Sequence, residues 1–295
     1  MMTSGENKLR KPTWLRVRVP SGAGFGRIKD IVGKGNLHTV CEEALCPNMG
    51  RCWEHGRATI MILGDKCTRA CRFCNIKPES SGICDAGEPI RVAEAIKKMG
   101  LSDVVITSVT RDDLDDGGST IWADTICRVH EILPGILVEV LIPDFQGDLA
   151  ALERVLAAKP EVLGHNLETV ASLYSKVRPQ ADYNRSLELL RRAHDRGAVV
   201  KTGIMVGVGE TEAEVFGLMK EAVSAGCEIF YVGQYLQPTQ KHLSISRYVI
   251  PEEFDLYRRK GLEAGFKVVV SSPLVRSSYH SEEQAEYLRK RLKLK

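Results

Sequence analysis

From Ala58 to Ser271 the chain alternates apolar, β-branched runs with amphipathic helical stretches, and this rhythm limits the folds open to it. Strands are expected at Ala58–Leu63, Val104–Val109, Ile136–Ile142, Glu161–His165, Val199–Val206, Ile229–Leu236 and Lys267–Ser271. Helical patterns fall between them at Ile90–Met99, Ser119–Leu133, Asp148–Ala158, Arg185–Arg196, Thr211–Ala225 and Pro251–Ala264. Ser119 and Asp148 stand where N-caps are wanted, and Gly100, Gly197, Gly226 and Gly265 close four helices. Such alternation implies a parallel sheet with right-handed crossovers, either a barrel or an open doubly wound sheet. Polar residues gather just after the strands, at Asp65, Thr110–Asp116, Asp144, Asn166–Glu168, Gly207–Glu210 and Gln237–Gln240, where a barrel keeps its functional face. The first strand leads into GDKCTRAC rather than a glycine-rich turn, which favours the barrel. The expected architecture is α/β, a partial parallel (β/α)6 TIM-type barrel over 58–272. An irregular N-terminal extension (1–57) precedes it and a C-terminal segment (273–295) follows.

A hydrophobic content of 43% and a charged content of 27% over 295 residues suit a soluble protein with a sizeable core. No apolar run reaches the roughly 18–20 residues of a membrane span, and MMTSGENKLR lacks the apolar stretch of a secretory signal. Nine cysteines without such a signal point to a reducing, cytoplasmic setting, where thiols more often bind metal than crosslink. Eight Lys/Arg against two acids make residues 1–40 strongly basic, and the last seven residues are basic too. Either end could dock an acidic partner or lie solvated as a tail.

Six of the nine cysteines form two triplets, Cys41-x4-Cys46-x5-Cys52 and Cys67-x3-Cys71-x2-Cys74. Odd-numbered sets do not suit disulfide pairing, and three thiolates fall one short of the four that close a metal centre. A cubic iron–sulfur cluster held by three cysteines keeps one iron open to an outside ligand. The alternative for the second triplet is zinc completed by His55 or Cys84; for the first, zinc or buried apolar cysteines. Lys66, Arg69 and Arg72 are expected to favour thiolates in the second triplet. Cys127 and Cys227 fit core positions, and Cys84 has no assigned role. Ser21–Gly26 mimics a phosphate loop but follows no strand and lacks the Gly-Lys-Ser ending. The acidic string Arg111–Gly118 lacks calcium-loop spacing, so it shapes the mouth, meets substrate or is a solvated loop.

The Cys67–Cys74 loop, with Phe73 before its last cysteine, resembles the signature of radical S-adenosylmethionine (SAM) enzymes. The first triplet together with Arg276-Ser-Ser-Tyr279 resembles the lipoyl synthase family within that superfamily, over nearly the whole chain from Lys11 to His280. The resemblance implies two [4Fe–4S] clusters and S-adenosylmethionine. Cys67, Cys71 and Cys74 would hold the radical-generating cluster. Cys41, Cys46 and Cys52, with Ser278 as fourth ligand, would hold an auxiliary cluster consumed as the sulfur source, which makes Ser278 the candidate catalytic residue. Phe73, Thr107, Asn166, Glu168 and Arg178 become candidate cofactor contacts, with Ser108 beside Thr107 and Gly203–Glu210 as an adenine-bearing strand. Read from the residues alone, Asn166 and Glu168 could equally cap a helix, Arg178 could form a surface salt bridge, and the glycines could serve a tight turn. The implied reaction inserts sulfur at carbons 6 and 8 of a protein-bound octanoyl-lysine. Its partners would be octanoylated lipoyl domains of 2-oxoacid dehydrogenase complexes, the glycine-cleavage H protein, an iron–sulfur carrier for cluster reloading and an external one-electron reductant, without nucleic acid or membrane. Other readings are a radical SAM enzyme modifying tRNA or a small molecule, an iron–sulfur electron carrier, and a zinc module.

Overall fold

The structure is a computed structural model that describes residues 10–17, 22–278 and 282–293. Tyr279, His280 and the flanking tips of the basic ends lie outside the described residues. Among the described residues there are ten strands: β1 His38–Thr39, β2 Thr59–Ile62, β3 Lys66–Cys67, β4 Lys77–Pro78, β5 Asp103–Ser108, β6 Leu137–Leu141, β7 Val162–Gly164, β8 Val200–Val206, β9 Ile229–Gln234 and β10 Val268–Ser271. Eight of them make one sheet in the order β1-β2-β5-β6-β7-β8-β9-β10, and β3 pairs with β4 apart from it. From β2 to β10 every pairing in the large sheet is parallel. Seven parallel strands therefore run in chain order, the six of the expected barrel with β10 after them. Strand β2 is buried along its whole length, as a parallel strand covered on both faces must be.

Helices fall between the strands at nearly the expected positions, for visible reasons. In Glu88–Met99 the residues Val92, Ala93, Ile96 and Met99 repeat at helical spacing and are buried. Gly100 ends this helix at φ 71°, its N–H reaching the Ile96 and Lys97 carbonyls. Each large side chain on such a stripe stabilises the fold by about 1.5–3 kcal/mol, and Ile96→Ala would cost about 2–5 kcal/mol. Asp148 caps its helix through the Ala150 N–H at 2.8 Å. Ser119 does not cap. Asp116 takes that part, accepting from the Gly118 and Thr120 N–H groups, while Ser119 is buried inside the first turn. Cys227 is in the core as expected, but Cys127 is exposed. The buried stripe of its helix is Ile121, Trp122, Thr125, Ile126 and Val129, and position 127 turns away from it.

The N-terminal extension is more ordered than its composition implied. Helices cover Ala23–Lys34, Val40–Glu43 and Met49–Glu54. Helix Ala23–Lys34 forms despite three internal glycines because its apolar face packs: Ile28 is buried and Phe25 lies 5.1 Å from the Trp53 ring. Tertiary packing outweighs the glycine penalty of about 1 kcal/mol per residue. Gly24 is required there, since a Cβ would run into the Glu54 backbone. β1 then pairs antiparallel with β2 and caps that edge of the sheet. The first residues of the basic C-terminal stretch, Arg289–Arg291, close a helix, Glu282–Arg291, in which Gln284 and Leu288 are buried. Among the described residues no helix is long and apolar enough to cross a membrane.

Candidate functional site

The second cysteine triplet lies in the loop that leaves β2. Cys67 sits in the β3–β4 ribbon, and its sulfur accepts from the Thr110 N–H at 3.3 Å and the Arg69 N–H at 3.5 Å. The loop is tied down on several sides. The Arg72 N–H donates to the Val177 carbonyl, and its own carbonyl accepts from Leu243. His242 Nε2 lies 3.0 Å from the Cys74 carbonyl. Two of the three nearby cations are engaged by carboxylates, and burial works against ionisation of Cys71 and Cys74. Lys66 is engaged by Glu79 and Arg69 by Asp112 and Asp144, and burial pushes the Cys71 thiol up and the Cys74 thiol to about 12. The cation that does pull Cys71 back is Arg178. Metal loading would have to displace these protons.

This triplet borders a cavity of about 490 Å³ at the C-terminal ends of the strands. Phe73, Thr107, Asn166, Glu168 and Arg178 all line it, as do Ser108 and Gly203–Met205. Three buried polar atoms of this lining, Ser108 Oγ, Asn166 Oδ1 and Arg178 Nε, have no hydrogen-bond partner. A bound polar molecule would satisfy them, so the donor set fits a ligand with charged and hydroxyl groups such as S-adenosylmethionine. Thr107 is already committed to the Leu141 carbonyl at 2.9 Å.

Arg178 is buried, which removes the surface salt bridge as a reading. Its Nη1 donates to the Asn166 carbonyl at 2.8 Å and to Tyr174 Oη at 2.7 Å. Behind Tyr174 a chain runs through Ser186 Oγ to His165 Nε2. Asn166 and Glu168 cap no helix. Asn166 Nδ2 holds Glu168 Oε1 at 3.0 Å, and Glu168 forms an isolated bridge to Ile204 while sitting at φ 67°. That left-handed backbone is unusual for glutamate and is fixed by bonds to the Gly203 carbonyl and Met205 N–H. Burial pushes the Glu168 carboxyl up, with Arg178 and Asn166 opposing.

Gly203, Ile204 and Met205 face the cavity, whereas the glycine turn after them serves itself. The Glu210 carboxylate accepts from the N–H groups of Gly207 (2.6 Å), Val208 (2.9 Å) and Gly209 (3.1 Å). The acidic string is likewise spent on structure. Asp112 holds Arg69, Asp113 holds Arg111, and Asp116 caps the following helix.

The first triplet borders a second cavity of about 110 Å³, where Cys41, Cys46 and Cys52 are joined by Arg276 and Ser278. Cys46, Arg276 and Ser278 also line the larger cavity, so the two spaces adjoin. Burial raises Cys41 to about 11 and Cys52 above its ordinary value. Among the described residues no three His, Cys, Asp or Glu side chains are grouped to hold a single ion. Each triplet instead contributes to the lining of an open cavity. The C-terminal segment reaches this place through several bonds: Asn48 Nδ2 to the Leu274 carbonyl at 2.6 Å, Gln234 N–H to Pro273, and Asn166 Nδ2 to Ser277 Oγ at 3.1 Å. Arg276, the Tyr174–Ser186–His165 chain and the use of Glu210 were not foreseen. Only Arg276 carried a local signal, as part of the Arg-Ser-Ser-Tyr run.

A parallel barrel sheet with a three-cysteine loop at the mouth defines the class. The Radical SAM superfamily profile matches residues 61–222. Among solved structures, Streptococcus suis SuiB bound to its precursor peptide SuiA matches with a TM-score of 0.57 at 14% identity, covering 81% of this chain and 57% of that one. HydG, a maturase of the [FeFe]-hydrogenase, matches at 0.57 and 15%, covering 90% and 67%. These likenesses carry the fold. The profile of the N-terminal domain of lipoyl synthase matches residues 1–46. Lipoyl synthase of Rubrobacter xylanophilus is 51% identical over 95% of this chain and 88% of its own length, and that of Chlorobaculum parvum is 50% identical over 95% and 96%. The chain belongs to the lipoyl synthase family of radical SAM enzymes.

Proposed function

We propose that the chain inserts sulfur at carbons 6 and 8 of an octanoyl group carried on a lysine of a lipoyl domain or of the glycine-cleavage H protein. Cys67, Cys71 and Cys74 would hold the radical-generating [4Fe–4S] cluster, and Cys41, Cys46, Cys52 and Ser278 an auxiliary one. When bound, the first cluster with S-adenosylmethionine supplies hydrogen abstraction from an unactivated carbon, and the second supplies sulfide. The observation that carries this reading is the adjoining of the two cavities, with Cys46 and Ser278 lining both. Abstraction and capture at one carbon need a shared, closed space, because a carbon radical must meet sulfur before solvent.

The protein's own residues orient the reactants. Arg178, anchored by Tyr174 and the Asn166 carbonyl, offers Nε to the cofactor carboxylate. Asn166 and Glu168 would face the ribose hydroxyls and Thr107 and Ser108 the amino group, while Phe73, within the cluster loop, packs against the apolar cluster of Val177, Val208 and Tyr235. The apolar lining, including Met61, Leu141 and Leu236, would receive the acyl chain. Ser278 would contribute a hard oxygen donor to a soft iron–sulfur centre, a bond suited to release. An iron–sulfur carrier for reloading and an external one-electron reductant are implied, acting in the cytoplasm.

Anaerobic iron and sulfide analysis paired with a single-turnover assay on an octanoylated lipoyl-domain peptide tests the proposal. About eight irons, with auxiliary sulfide lost in step with dihydrolipoyl product, is the expected result. About four irons with cofactor cleavage and no sulfur in the product would overturn it.

A further inference from the structure

Inside the barrel, bordering the larger cavity at Tyr231, lies a buried polar network that the proposed chemistry does not use. Lys201 on β8 donates to Glu139 Oε1 on β6 at 2.7 Å and to Gln284 Oε1 at 2.9 Å. Gln284 Nε2 donates to Glu139 Oε2 at 2.6 Å, and Tyr231 Oη on β9 donates to Gln284 Oε1 at 2.6 Å. The Lys201 ammonium also sits 3.9 Å from the Tyr231 ring centroid. All four residues are buried. Three of them belong to the barrel strands; Gln284 alone comes from the C-terminal helix.

That asymmetry has a purpose in the fold. The helix Glu282–Arg291 is charged over most of its surface and buries Gln284 and Leu288. Its apolar hold is one small cluster, in which Leu288 groups with Val162, Val199, Ile229, Tyr231, Val268 and Val275, while more exposed ties join Tyr287 and Arg291 to Glu228 and Glu283 to Arg258. Ser278 precedes the helix by four residues. Upstream, Pro273, Leu274 and Ser277 are each fixed by one bond to the rest of the protein. Downstream, the described anchor inside the barrel is Gln284. An ion pair buried in a low dielectric is intolerant of losing a hydrogen-bonding neighbour, so the lumen selects this one side chain strongly.

We propose that Gln284 is a positioning residue: by completing the Glu139–Lys201 ion pair and binding Tyr231, it clamps the C-terminal helix to the barrel and holds Arg276–Ser278 across the mouth. The effect on the smaller cavity rests on the proposed role of Ser278; the clamp itself does not.

Hydrogen exchange on cluster-free protein tests the clamp. Gln284→Leu should speed exchange of the Val275–Ser278 amides about tenfold or more while β5 keeps its protection. Where Leu prevents folding, Gln284→Asn shortens the reach by one methylene and carries the same expectation. The double variant Glu139→Gln with Gln284→Glu exchanges amide and carboxylate within the network and should restore protection. Unchanged exchange at 275–278, equal loss throughout the barrel, or no recovery in the double variant overturns the proposal. After reconstitution, Gln284→Leu should lose iron from about eight toward about four while still cleaving S-adenosylmethionine. Retention of both clusters beside a loosened segment would sever the clamp from the second cavity. A wild-type protein with about four irons would instead undo the Ser278 assignment, leaving the exchange experiment to decide the clamp.

Discussion

Val275 crosses Gly233 so closely that its carbonyl oxygen occupies the place where a Cβ at 233 would stand. β9 is thus bare at one point, and the C-terminal segment uses that gap to reach the mouth. Gly233→Ala should therefore push residues 275–278 outward, destabilising the protein by about 1–3 kcal/mol. Chemical denaturation gives the energy, and iron analysis should show loss confined to the auxiliary cluster. A fully loaded, equally stable variant would show that the crossing has slack.

Arg178→Lys keeps the charge but loses the planar fork. The KM for S-adenosylmethionine should rise about 10- to 100-fold, the equivalent of one charged hydrogen bond. Steady-state cofactor cleavage measures it, and an unchanged KM would remove Arg178 from the cofactor site.

Ser278→Cys replaces a hard donor with a soft one. The variant should assemble both clusters yet slow the second sulfur insertion about tenfold or more, because the fourth ligand now leaves less readily. Product mass analysis separates singly from doubly thiolated octanoyl-lysine. Undiminished second insertion on an intact cluster would falsify the idea that a labile oxygen ligand serves sulfur release.

His165 is wholly buried between the Ile142 carbonyl and Ser186. Burial, helped by the Arg178 charge, lowers its pKa from 6.5 to about 4. Since the unfolded chain binds the proton more readily, His165 contributes stability that is complete above pH 6.5 and lost as pH falls toward 4. The full amount is about 3 kcal/mol. Guanidine unfolding of cluster-free protein at pH 7 and 4.5 should show this slope, and His165→Gln should flatten it.

Glu210→Gln leaves one lone-pair face for three N–H groups that a carboxylate now satisfies. A loss of about 1–3 kcal/mol is expected from thermal or denaturant unfolding, with SAM affinity changed little because the cavity is lined by Gly203–Met205 rather than by the turn amides.

The barrel was readable because its strands and helices carry strong periodicity, and most helix ends fell within a residue or two of the expected ones. Residues 22–57 were not, because packing of Phe25 on Trp53 overrides glycines that by themselves suggest a loop. Cys127 misled for a related reason: an apolar character says little where one turn of a helix decides which side faces in. The cysteine triplets stood out by spacing alone, yet their electrostatics did not. Lys66 and Arg69 stand within two residues of thiols in sequence but are claimed by Glu79, Asp112 and Asp144, two of which arrive from later strands' loops. Bonds such as Tyr174 to Ser186 and onward to His165 exist only once separate elements have met, and no local pattern announces them.

The bond from Asn48 to Leu274 spans 226 residues and closes the smaller cavity with material from both ends of the chain. On a ribosome, Cys41, Cys46 and Cys52 emerge long before Arg276 and Ser278 exist, and the barrel between them has time to fold first. Whatever fills that cavity meets a complete set of walls only after the strands and helices between its two halves have been made, so its maturation follows that of the barrel and does not precede it.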